Sequence, residues 1–413
     1  MHTSTLLPNL FRTEYSKMVA VLCKSFGLSN MQIAEDIVSD TFLLAAETWG
    51  KKGIPDNQAG WLYTVAKNRT KDYLKREKIK QEKVEPNIQM GQTETYQMDT
   101  DFSEKSITDS QLQMIFAICH PSIPTEAQIA LGLRVLCGFG IDEISSALLS
   151  NKETINKKLY RAKANLRKND IELVFPENTE IEERLDNVLT TIYLLFNEGY
   201  YSSSKDQVLS KDLCLEAMRL CLLLMNDNRT ALPKVFALLA LMCFHASRFE
   251  SRKNAQGELI LYYDQDRNLW NEELILRGEY YLNRSAEGKQ MSKYHLEAAI
   301  AFWHSRKEDH PEKWEKILQL YNQLLQIEYS PIAALNRTYA LAKANSIDAA
   351  IQEAEQFNLT KSHLYHCLMA ELYQSQDQQK AMQHLEKALN LVRSEEERSV
   401  VLGLRNRVAV MGS

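Results

Sequence analysis

The chain of 413 residues has little of what marks most function classes. Only 9 Pro and 14 Gly interrupt it, strand-like alternation is nearly absent, and long segments repeat apolar residues at three and four, so an all-α fold is expected. The stretch GELILYYDQD (257–266) is the candidate strand or hairpin. Cys23, Cys119, Cys137, Cys214, Cys221, Cys243 and Cys367 lie far apart, with no C-x-x-C pair and an odd total. Such a set signals neither a disulfide framework nor a metal site, and reduced, buried thiols are expected. No P-loop, G-x-S-x-G, H-E-x-x-H or dinucleotide fingerprint is present, which argues against an enzyme and against a cofactor. His245, His295 and His304 stand isolated on helices and read as structural, and DQDRNLW (264–270) groups carboxylates without the calcium-loop spacing. No run approaches the roughly 20 apolar residues of a membrane span, and the start MHTSTLLPNLFRTEY lacks the parts of a signal peptide, so a cytoplasmic protein without membrane contact is expected.

Positive charge is also scarce, since the formal net charge is −5. Yet NKETINKKLYRAKANLRK (151–168) carries seven Lys or Arg and one Glu. Just before it, GFGIDEISSALLS puts Ile141, Ile144, Ala147 and Leu148 on one short apolar face. Ser150 and Glu153 have capping-box spacing, so the pattern reads helix, tight turn, helix. On the second helix Ile155, Leu159, Ala162 and Leu166 face inward, pushing Lys152, Asn156, Lys157, Arg161, Lys163 and Lys168 outward. A solvated helix normally mixes both signs, whereas this one is net positive behind a short partner. That arrangement suits the DNA major groove, with early residues at base edges and later cations at phosphates.

A second basic helix, WLYTVAKNRTKDYLKR (61–76), packs Trp61, Leu62, Val65, Ala66 and Tyr73 and leaves Lys67, Asn68, Lys71, Lys75 and Arg76 exposed; Tyr63 could join either group. Cations interleaved with amides and rings suit melted DNA. Upstream, NMQIAEDIVSDTFLLAAETW (30–49) turns Ile33, Ile37, Val38, Phe42 and Ala45 inward and Glu35, Asp36, Ser39, Asp40 and Glu47 outward. Residues 77–106 are polar, hold Pro86 and Gly91, and read as a flexible linker. A Pro and turn formers near 172–180 mark a second break, giving blocks 1–76, 107–170 and 177–413. In the third block, 333–357 and 363–389 superpose about 31 residues apart, Ala340 on Ala370 and Ala350 on Ala381, with Tyr339 near Tyr373, the logic of a tetratricopeptide-like helical-hairpin array.

Together these segments resemble bacterial RNA polymerase sigma factors of the extracytoplasmic-function group within the sigma-70 family. AEDIVSDTFLLAAETW is similar to the polymerase-docking helix of region 2, GWLYTVAKNRTKDYLKRE to the helix engaging the promoter −10 element, and IDEISSALLSNKETINKKLYRAKANLR to region 4, the helix-turn-helix that reads the −35 element. The resemblance covers about 170 residues, and the remainder resembles, more loosely, the tetratricopeptide-like C-terminal extension of one subgroup. It implies docking to the clamp of the largest subunit of core RNA polymerase through Asp36, Ser39 and Asp40. It further implies −10 contacts from Asn68, Arg69, Lys71, Asp72 and Arg76, and −35 contacts from Lys152, Glu153, Asn156, Lys157, Lys158 and Arg161. The loop GKKGIPDNQAG (50–60) would border a flipped-base pocket, and the C-terminal block would regulate in cis or hold a protein partner. One departure is Leu149, where the turn of region 4 usually carries Gly. The second reading is a tetratricopeptide-type regulator that binds promoter DNA by the helix-turn-helix alone and never meets polymerase; it leaves the motifs of 30–76 unexplained.

Overall fold

The structure, a computed structural model, describes residues 3–84, 100–201, 207–254, 259–288, 290–306, 310–392 and 394–410. Eighteen α-helices and no strand occur among the described residues, as the all-α reading expects. The expected strand or hairpin is corrected. Residues 257 and 258 lie outside the described ones, Leu259 forms a single antiparallel bridge with Lys253, and Tyr262–Asp264 is a turn of 3-10 helix. One bridge supplies too few ladder bonds to hold a sheet. The chain divides into two compact units, Met1–Gly199 and Tyr200–Ser413.

In the first unit, α1 (Thr3–Phe26), α2 (Met31–Lys52) and α3 (Gln58–Val84) form a bundle. Tyr15, Met18, Val19 and Leu22 of α1 are buried, as are Met31, Val38, Phe42, Ala45 and Trp49 of α2, at spacings of three and four. Edge-on aromatic pairs join the helices, Phe11 to Phe42 at 4.9 Å and Trp49 to Trp61 at 5.4 Å. Gly27 and Gly53, with φ of 80° and 90°, end α1 and α2 in the left-handed region that favours glycine. Helix α3 runs on through 77–84, past the linker boundary expected at 77; 85–99 of that linker lie outside the described residues, and α4 (Glu104–Ile118) starts at a Ser103 cap.

Then follow α5 (Thr125–Leu131) with a π turn at Gly132–Leu136, α6 (Ile141–Ala147), α7 (Lys152–Lys168) and α8 (Ile181–Tyr200). The cap of α7 differs from the Ser150–Glu153 box: helical geometry begins at Lys152, so Asn151 is the cap and its Oδ1 accepts from Thr154 N at 2.8 Å. Helix α8, assigned by sequence to the third block, packs within the first unit. Thr191 Oγ1 donates to the buried Gln128 Oε1 at 2.7 Å, and Arg184 Nη2 donates to the Phe116 carbonyl at 3.0 Å. Its buried face of Leu185, Val188, Ile192 and Leu195 needs a neighbour, and the break at 172–180 is short enough to fold it back.

The turn between α6 and α7 is kept despite Leu149, which takes the left-handed conformation at φ 45° with 70% of its surface exposed. A non-glycine residue there costs about 1–2 kcal/mol, partly offset by the lower entropy of unfolded Leu relative to Gly. Leu149→Gly is therefore expected to raise the stability of this unit by about 0.5–1 kcal/mol. Chemical denaturation of the two chains checks it, and a lower midpoint for the glycine variant would contradict it.

The second unit is built from helical hairpins: α9 (Gln207–Met225), α10 (Pro233–Ala246), α11 (Glu272–Ser285), α12 (Lys293–Ser305), α13 (Pro311–Ile327), α14 (Pro331–Ala344), α15 (Ile347–Glu355), α16 (His363–Tyr373), α17 (Gln378–Leu391) and α18 (Glu395–Val410). Helix α10 is apolar nearly all round, and so it lies between α9, α11 and α12. Pro233, Pro311 and Pro331 sit at helix starts, where a missing N–H loses nothing. The small residues that superpose in sequence are all buried, Ala350, Ala370 and Ala381 in the core of the last hairpins and Ala340 in the preceding core formed with α12 and α13.

Candidate nucleic-acid and partner-binding faces

Helix α7 presents part of its charge as the spacing predicts: Ile155, Leu159, Ala162 and Leu166 are buried, Lys152, Glu153, Asn156, Lys157 and Arg161 are exposed, and Lys158 is half-buried. Lys152 pairs with Asp142 at 2.6 Å and Lys158 with Glu126 at 2.9 Å. Exposed pairs of this kind contribute ~0–1 kcal/mol, so a phosphate can replace either carboxylate. Lys157 and Arg161 make no ion pair among the described residues. Tyr160, absent from the expected set, is 71% exposed on the same helix. Its place off the buried stripe of Ile155, Leu159, Ala162 and Leu166 was the signal available for it.

On α3, Asn68, Lys71, Asp72 and Arg76 are exposed and Leu62 and Ala66 are buried. Arg69 turns aside to pair with Asp40 of α2 at 3.0 Å, so one residue of the −10 set and one of the docking set meet each other. Tyr63 joins the packed group: it donates to Glu14 and stacks on Phe102 at 4.8 Å. On α2, Asp36, Ser39 and Asp40 are exposed. In the 50–60 loop, Asn57 Oδ1 accepts from Gly60 N at 2.8 Å and thereby starts α3.

Two outward assignments are corrected. Glu35 is only 3% exposed, and Lys163, with 15% of its side chain exposed, forms an ion pair with it. Arg134 Nε reaches the same carboxylate at 3.2 Å, Tyr15 Oη donates to it at 3.2 Å, and Lys163 Nζ also donates to Gln32 Oε1 at 3.0 Å. The Arg134 guanidinium lies 5.2 Å from the Tyr15 ring. Burial, then the neighbouring carboxylate, pushes the Tyr15 hydroxyl well above its ordinary range, so it stays a donor. The signal for Glu35 was its register: 31, 35, 38, 42, 45 and 49 form one stripe, with a carboxylate inside it.

The isolated histidines behave as structural groups. His295 Nδ1 caps α12 at the Ser292 N–H, 3.1 Å away. Burial lowers His245 well below its ordinary value and His304 to about 3, far from the range useful to a general base near neutral pH. In DQDRNLW, Asp264 pairs with Arg407 and Asp266 caps its own turn at Asn268 N. No cluster of three metal-ligating side chains is present among the described residues, and no helix there is long and apolar enough to cross a membrane. All seven cysteines are free; six are buried and Cys367 is half-buried.

Residues 11–79, which carry both the acidic face of α2 and the basic face of α3, match the family described as Sigma-70 region 2. Residues 184–286 match a family of unknown function, DUF6596, which begins inside α8. Among curated proteins, the uncharacterized protein R00370 of Rhizobium meliloti (strain 1021) is 32% identical over 337 residues, 79% of this chain and 77% of that protein. The ECF RNA polymerase sigma-E factor of Haemophilus influenzae (strain ATCC 51907 / DSM 11121 / KW20 / Rd) is 26% identical over 162 residues, 38% of this chain and 82% of that protein. No solved structure matches the chain. Its likeness to the Rhizobium protein over most of both lengths, and the region 2 match across α2 and α3, establish that this chain belongs to the family of the Rhizobium protein and is a member of the sigma-70 family.

Proposed function

We propose that this chain is an initiation factor of the extracytoplasmic-function type: it docks on core RNA polymerase, selects promoters by their −35 and −10 elements, and promotes melting. The observation that carries this reading is the pairing of an acidic exposed face on α2 with a basic, amide-bearing face on α3 inside one region 2 match. Asp36, Ser39 and Asp40 would meet the clamp of the largest polymerase subunit, Asn68, Arg69, Lys71, Asp72 and Arg76 the −10 element, and the 50–60 loop a flipped base. Lys152, Glu153, Asn156, Lys157, Lys158 and Arg161 of α7 would meet the −35 element, α6 and α7 acting as the helix-turn-helix. The second unit, a tetratricopeptide-like array in this reading, would regulate these faces in cis. The test is addition of the pure protein to core polymerase and genomic templates. Promoter-dependent transcripts are expected, and their absence with a folded protein rejects the reading in favour of a regulator that acts through DNA alone.

Within that reading α7 divides its labour. Lys157→Ala or Asn156→Ala is expected to weaken chosen −35 sequences by ~1–3 kcal/mol for each base no longer read. Removing a phosphate-binding cation such as Arg161 should instead weaken all sequences alike and lower the salt slope by about one. Binding titrations at several salt concentrations separate the two. Unchanged affinity and slope for both kinds of variant would remove α7 from the interface.

A further inference from the structure

We infer that the buried Glu35 network is a latch that holds regions 2 and 4 in a closed, promoter-incompetent arrangement; the inference rests on the initiation-factor reading above. Glu35 belongs to α2, beside the docking residues Asp36, Ser39 and Asp40, whereas Lys163 belongs to α7 and Arg134 to the π turn after α5. One carboxylate thus ties the helix assigned to polymerase to the helix assigned to the −35 element. A second pair, Arg12 with Glu143 at 2.7 Å, closes the same joint from α1 to α6. Arg12 also lies over Phe139 at 5.2 Å, and α1 packs on α4.

Size decides what this arrangement can do. Elements centred about 25 base pairs apart lie roughly 85 Å apart along duplex DNA at about 3.4 Å per pair. A compact unit of residues 1–199 has a radius of gyration of roughly 16 Å, so its full width is near half that separation. Helices α3 and α7 cannot serve both elements from within one closed body. The unit must therefore open, and what holds it closed sets the threshold.

The joint has the chemistry of an interaction made to be exchanged. Beside it lies a solvent-open pocket of about 240 Å³, lined by Cys23, Lys24, Leu28, Leu166, Arg167 and Ile171. A buried carboxylate is stable only while its cations and donors surround it. Those same groups regain water when the joint opens, which makes opening less costly than separating an apolar core of equal area. Polymerase binding to the neighbouring carboxylates of α2 would disturb Glu35 directly.

The test uses the full chain with two dyes on non-canonical residues placed at the exposed positions Lys51 and Lys168, leaving the cysteines unlabelled. Single-molecule energy transfer is measured for the unmodified network, Lys163→Met, Glu35→Gln and the double variant, alone and with core polymerase and promoter DNA. The unmodified network should give mainly the short distance when free and the long one in the complex. Each single variant should raise the long-distance fraction of the free protein and tighten polymerase binding severalfold, and the double variant should add little, since both remove one interaction. Variants that fold, by circular dichroism, yet keep the original distance distribution overturn the latch, as does a complex that keeps the short distance. A shift in distance without any polymerase binding would retain the latch and reject the initiation-factor reading instead.

Discussion

A chain ended at Pro176 is expected to lose the stability of the α4–α7 segment, the proposed region 4, whereas one ended at Tyr201 keeps it. Helix α8 buries Leu185, Val188, Leu189, Ile192, Leu195 and Phe196. Each such side chain contributes about 1.5–3 kcal/mol on burial, and removing the helix leaves their partners bare. Gln128 also loses the Thr191 hydroxyl, and the Phe116 carbonyl loses Arg184. The combined loss, several kcal/mol at least, is comparable with the ~5–15 kcal/mol that holds a typical domain together. The shorter chain should therefore show a lower, broader thermal transition and −35 binding reduced at least tenfold, while the longer one melts cooperatively. Equal melting and equal −35 affinity would mean that α8 is dispensable to the first unit. The choice of end point decides how the proposed regulation by the second unit is tested: a chain cut at Pro176 confounds a damaged α4–α7 segment with the absence of an array, and one cut after α8 does not. The family of unknown function begins at residue 184, inside this helix, so one element belongs both to that family's match and to the first compact unit.

What is legible in the sequence follows from short-range periodicity. Spacings of four, three and four give the four buried positions of α7, and superposition gives the alanines of the C-terminal hairpins. The turn at Leu149 is legible as a turn although the residue argues against it, because Ser, Asn and the two flanking stripes outweigh one unfavourable φ. Glu35 is missed for a different reason. Its register puts it in the stripe, but a carboxylate reads as solvent-facing when nothing local can neutralise it. Its cations come from 99 and 128 residues away, a separation that a single sequence does not encode in any pattern. Lys163 is missed as the other half of the same pair. Helix α8 is recognisable as a helix but goes to the wrong neighbour, because an apolar face specifies that it must be covered and not by what.

Asn68→Ala combined with Arg76→Ala is expected to block melting far more than docking. Both residues are exposed on α3, away from the packed Leu62 and Ala66, where displaced bases would pass in the proposed reading. Alanine substitution at a base-holding side chain costs about 1–3 kcal/mol, so two together should lower open-complex formation on duplex promoters by roughly 30-fold or more. A template already unpaired over the −10 element supplies the unstacking that these side chains would otherwise favour, so it should recover most of the loss. Arg69 provides the contrast. Because it is paired with Asp40 at 3.0 Å, Arg69→Ala removes a proposed −10 contact and also releases a carboxylate proposed for docking, so it should alter polymerase affinity on both templates in addition to any loss of melting. Permanganate reactivity of unpaired thymines, measured beside polymerase binding, reads the two effects separately. Equal losses on duplex and premelted templates for the Asn68 and Arg76 pair would assign those residues to docking, and the melting surface would then have to be sought elsewhere along α3 or in the 50–60 loop.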